Sequence, residues 1–182
     1  GRGIRLHPVA DGRGGIAPNG LVAPAIAGGP RAGAPHRPAF AAGRRQVYDR
    51  RMGKPFEMRF VARSDDIDMM GHVNNAVWVR WMEAIATAHW QALAPAEAQA
   101  GYAWVVTRHE IDYRGNVREG EAVIARTVIP EPPRGARFDR QVEFFGEDGK
   151  LKVAARTTWA MIDLASGRLM RVPADLADIF LA

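Results

Sequence analysis

The chain contains no cysteine, which removes disulfides, thiolate metal sites and a cysteine nucleophile from consideration while leaving the compartment open. No apolar run approaches the eighteen or so residues that a membrane-spanning helix needs, so no membrane partner is expected. Acidic residues are scarce in one part only: residues 1–50 carry eight Arg against two Asp, whereas residues 51–182 carry seventeen Lys and Arg against eighteen Asp and Glu. The formal charge of +5 therefore belongs to the leading segment. The remainder is nearly neutral, so its charge does not make it a nucleic-acid-binding surface.

Regular patterning is also missing from the start of the chain. Gly, Ala, Pro and Arg dominate residues 1–50, and no period of 2 or 3.6 persists there. Such a composition buries too little apolar surface to offset the entropy of ordering it, so a disordered leader is expected. A single folded domain is expected over 51–182. Across the whole chain, apolar residues make up 47% and charged residues 25%, ordinary values for a globular protein.

What is present concentrates between Arg63 and Trp90. Asp65, Asp66 and Asp68 come first, followed by a turn through Gly71 and His72 and then the pair Asn74-Asn75. Beyond it, Trp78, Trp81, Met82, Ile85 and His89 recur at helical spacing. Asn75 suits the N-cap of a helix from Ala76 to about Leu93. A carboxylate, a glycine turn and a helix start within ten residues bring an ionised side chain close to unpaired backbone N–H groups, which can hold an oxyanion. Before this stretch, 56–63 alternates as a strand; after it, 102–113, 121–130, 136–145 and 150–164 read as strands. Glu147-Asp148-Gly149 marks a hairpin, and 173–181 a short terminal helix. This order gives an α+β fold, an antiparallel sheet with one dominant helix.

The run Asp66-Ile67-Asp68-Met69-Met70-Gly71-His72-Val73-Asn74-Asn75-Ala76, with Trp81 and Glu83 beyond it, resembles the signature of hotdog-fold thioesterases. That group includes 4-hydroxybenzoyl-CoA thioesterase and the plant acyl-carrier-protein thioesterases. Residues 109–121 and 161–173 resemble its second strand with the following turn and its last strand, so the resemblance spans about 54–180. It implies a hotdog fold, with an antiparallel sheet of about five strands wrapped on one long helix. It also implies hydrolysis of an acyl-CoA or acyl-carrier-protein thioester, fatty or aryl, in a cytoplasmic homodimer or homotetramer with no cofactor or metal. Asp68 matches the catalytic Asp of the benzoyl-CoA type, His72 the functional His of the plant type, and Asn75 the helix start whose backbone N–H polarises the thioester carbonyl. Met70 stands where the plant enzymes carry Asn, and Asn116 where they carry Glu, so the resemblance favours a mechanism centred on the Asp.

Each of these residues also has a plain structural reading. Asp68 can cap its own turn, Asn74 and Asn75 are turn and cap residues, and Trp78 is a core residue at helical spacing. As substrate contacts, Asn74, Trp78, Tyr113 and Arg114 are the candidates, the last two facing a partner subunit. Glu83 reads as a solvated neighbour of Arg80. A hotdog-fold hydratase and a non-catalytic acyl-thioester-binding protein are the alternative functions.

Overall fold

The computed structural model describes residues 53–181. The expected disordered leader, and the domain boundary at residue 50, lie outside them. The elements follow in the order β1 (Phe56–Val61), a 3-10 turn (Ser64–Asp66), α1 (Asn75–Leu93), α2 (Ala96–Gly101), β2 (Tyr102–Tyr113), β3 (Ala122–Val128), β4 (Arg137–Gly146), β5 (Leu151–Asp163), β6 (Arg168–Leu169) and α3 (Ala174–Leu181). The strands form one sheet in the order β1-β3-β4-β5-β2, every pair antiparallel, with the two-residue β6 paired to β5. The sheet curls around α1, giving the hotdog α+β fold. The short α2 was not anticipated; Pro95 ends α1 and caps a further helical turn rather than only closing the region.

Alternation of side chains decides which face each strand buries. On β4, Phe138, Arg140, Val142 and Phe144 are buried while their neighbours are partly exposed. Val123, Ala125 and Thr127 of β3, and Val153, Ala155 and Thr157 of β5, are buried likewise. Opposite them, α1 buries all five residues of the expected stripe, together with Val77 and Ala86.

Around the first half of α1 the core is aromatic. The Trp78 ring lies 5.1 Å from Trp81 and 5.1 Å from Phe144, edge-on to both, and Phe60 stacks on Trp81 at 5.2 Å. Full burial of such side chains contributes roughly 1.5–3 kcal/mol each. A second apolar cluster gathers around Phe138, Met161 and Phe180, with Trp90 stacked on Phe180.

The two sheet margins differ. β1 leads directly into the Asp68 turn. Among the described residues β2 pairs only with β5, and it exposes Val105, Val106 and Tyr113.

Candidate active site

The segment between β1 and α1 folds as a clasp held by backbone bonds. Ala62 N–H donates to Glu121 O and Gly120 N–H to Ala62 O, tying the segment to the start of β3. Ile67 and Val73 then form an antiparallel bridge. Asn74 N–H donates to Asp66 O on one side of that bridge and Asp68 N–H to His72 O on the other, both at 2.9 Å. At the tip, Gly71 N–H returns to Asp68 O at 2.9 Å. Gly71 has φ +76°, a conformation that an L side chain adopts only with strain.

The three acids play different parts. Asp66 is buried: its Oδ2 accepts from Arg63 N–H at 3.0 Å and its Oδ1 from Arg80 Nη2 at 2.7 Å. Glu83 is exposed, as expected of a solvated residue, while its neighbour Arg80 links α1 to the clasp. Asp65 is exposed. Asp68 is half-buried. Its Oδ1 accepts from Met70 N–H at 2.8 Å and, more weakly, from His72 N–H at 3.4 Å. One oxygen, Oδ1, locks the turn, and the other, Oδ2, has no partner among the described residues. The capping and catalytic readings of Asp68 are therefore compatible.

At the helix start the expectation needs correcting. The N-cap is Asn74, not Asn75: Asn74 Oδ1 accepts from Ala76 N–H at 2.9 Å, and α1 begins at Asn75. Two asparagines in sequence are equally good caps by propensity; the backbone bond from Asn74 to Asp66 selects the first. The correction leaves the backbone N–H of Asn75 at the first helical position, where no intrahelical acceptor exists. It has no acceptor elsewhere among the described residues.

His72 contributes to the clasp through its backbone, and its imidazole makes no hydrogen bond among the described residues. Trp78 lies in the core beneath the clasp, only 2% exposed. Tyr113 is at the end of β2, 45% exposed, its phenol pushed above the ordinary value by partial burial and so a donor at neutral pH. Arg114 pairs with Asp112 at 3.0 Å.

From Arg114 the chain leaves β2 and reaches the clasp, where the carbonyl of buried Val117 accepts from Val73 N–H at 2.8 Å. Neither this strut nor the Asp66–Arg80 pair was anticipated. Both are long-range contacts without a spacing signal, although an apolar Val117 inside a polar turn was a hint.

A family model described as the thioesterase-like superfamily matches residues 62–180. No curated protein matches the chain by sequence. Among solved structures, a 1,4-dihydroxy-2-naphthoyl-CoA thioesterase from Synechocystis is similar with a TM-score of 0.61 at 16% identity, covering 70% of this chain and 96% of its own. A predicted thioesterase from Bacillus stearothermophilus gives 0.62 at 22% identity, covering 70% and 94%. A hypothetical protein from Staphylococcus aureus, in complex with CoA, gives 0.63 at 15% identity, covering 70% and 82%. At these identities the likeness is one of fold.

Proposed function

Because the chain belongs to the thioesterase-like superfamily, we propose that it hydrolyses a CoA thioester with Asp68 as the reacting carboxylate. The observation that carries this reading is the division of labour within that carboxylate, whose Oδ1 is held by Met70 N–H while Oδ2 is unbonded among the described residues. Water adds to the thioester carbon, the carbon–sulfur bond breaks, and the products are a carboxylic acid and CoA thiol. Oδ2 either takes the water's proton or attacks the carbonyl itself, forming an anhydride that water then opens. The Asn75 N–H, at the positive end of α1, is available to the developing oxyanion. His72, Asn74, Tyr113 and Arg114 stand as the polar contacts of the substrate, and Trp78 as the packed floor beneath it. The naphthoyl-CoA thioesterase and the CoA-bound protein among the fold relatives favour CoA over a carrier protein. Thiol release over a panel of acyl- and aryl-CoA esters is the test. Turnover of at least one ester is expected, and silence across the whole panel would remove the reading.

The same proposal includes assembly. The outer edge of β2 has no strand beside it among the described residues, and such edges invite pairing. Exposed Val105, Val106 and Tyr113 lie along it. A second copy pairing there gives a homodimer with two sites. Sedimentation at micromolar concentration is expected to give a dimer or a multiple of it; a fully active monomer would refute a shared site.

A further inference from the structure

One level of the interior is polar. Thr127 on β3, Arg140 on β4 and Thr157 on β5 all point inward and are buried, with Arg140 and Thr157 directly opposite in register. Buried His89 meets them from α1. Arg140 Nη1 lies 3.0 Å from His89 Nδ1 and donates to Thr127 Oγ1 at 3.0 Å, while Thr127 gives its own proton to Gln141 O. A guanidinium only donates, so His89 Nδ1 is the acceptor and the ring is neutral, with its proton on Nε2. Phe56 stacks on that ring at 5.0 Å and Phe180 meets it edge-on at 5.2 Å.

Every partner of this cation is therefore neutral. Among the described residues no carboxylate contacts Arg140, and the one buried carboxylate, Asp66, is bound to Arg80. Burial lowers the guanidinium to about 10, which leaves it ionised at neutral pH. Enclosing a charge with no counter-charge is costly. Both hydrogen bonds use Nη1, so Nε and Nη2 have no partner among the described residues. Yet no wholly enclosed side-chain nitrogen or oxygen there lacks a partner. Those two donors are therefore not wholly enclosed, and together they are the edge of the guanidinium that matches a planar carboxylate in bidentate fashion.

We propose that Arg140, braced by His89 and Thr127, is the floor of an internal binding site for a carboxylate anion. The site lies fourteen residues along α1 from the Asp68 end, roughly 21 Å away, and does not depend on the assignment of the thioesterase chemistry. Two sources share this ligand chemistry: short monocarboxylates, and the longer free acids that thioester hydrolysis releases.

The test is a titration of the full chain with carboxyl-labelled acetate followed by carbon NMR, then competition with octanoate. Saturable acetate binding is expected in the wild type. Arg140→Met, which removes the fork at similar volume, should weaken it by about tenfold or more. If that variant fails to fold, Arg140→Lys keeps the charge without the fork and should still weaken binding severalfold. Displacement at much lower octanoate than acetate assigns the site to acyl-chain acids; equal or weaker displacement assigns it to short monocarboxylates. A response that does not saturate in the wild type, or equal affinity in the folded variant, overturns the proposal.

Discussion

Asp68 and Arg140 stand at opposite ends of α1, and the chain surrounds them differently. Asp68 rests on backbone N–H groups with one oxygen toward solvent, at the end of the helix whose dipole favours negative charge. Its Oδ1 fixes the turn, and its Oδ2 has no hydrogen-bond partner among the described residues. Arg140 is 7% exposed and bonded only to neutral groups, so holding it ionised is expensive. The comparison separates a charge that the fold presents from one that it encloses, and the first suits chemistry while the second suits recognition or strain.

The largest expected effect is at the presented charge. Asp68→Asn keeps an oxygen that accepts from Met70 N–H, so the clasp and the melting curve should be preserved, while hydrolysis falls roughly 10²–10⁴-fold. Wild-type turnover in the folded variant would collapse the contrast, leaving Asp68 a turn residue only.

The enclosed end should instead announce itself in stability against pH. Burial, and then the neighbouring Arg140, lower His89 from 6.5 to about 4. Its folded value lies below its unfolded one, so the unfolded chain takes up the proton first. The stability is fully present above about 6.5 and is lost as pH falls toward 4, by on the order of 3 kcal/mol at most. The carboxylates of Asp139, Asp148 and Asp163 are lowered from 3.8 and so add their loss only below this window. Urea unfolding at several pH values across the window measures the slope, and His89→Gln, which retains an acceptor for Arg140, should flatten it. An unchanged slope would mean that His89 is not the group responsible.

A smaller effect is expected where the clasp meets α1. Asp66→Asn weakens the link to Arg80, whose side chain is 63% exposed, while its oxygen can still accept from Arg63 N–H. A loss of about 1–2 kcal/mol is expected, since the weakened bond is charge-assisted on one partly buried side only. Activity should fall through a mispositioned Asp68, so kcat should drop while the pH profile keeps its shape. A changed profile would instead make Asp66 part of the chemistry.

Local sequence carried the strands, the long helix and the turn before it, because periodicity and turn chemistry act within a few residues. The stripe from Trp78 to His89 was legible for that reason, and so was Asp68 beside a helix start. Arg140 was half-legible: it shares the parity of Phe138, Val142 and Phe144 on an alternating strand, which alone puts it on the inward face. What remained hidden depended on distant partners. Asn74 rather than Asn75 became the cap because Asp66 O holds its N–H; Asp66 became a structural acid because α1 returns Arg80 to it; Val117 braces the clasp only after the chain leaves β2. The sequence by itself determined an α+β domain with a carboxylate before a helix N-terminus, since those features follow from residue type and spacing. Which carboxylate is enclosed, which oxygen of Asp68 is left free and which cation lies without a counter-charge were decided only by tertiary structure. Each depends on a hydrogen bond or a burial that exists only once residues far apart in the chain have met.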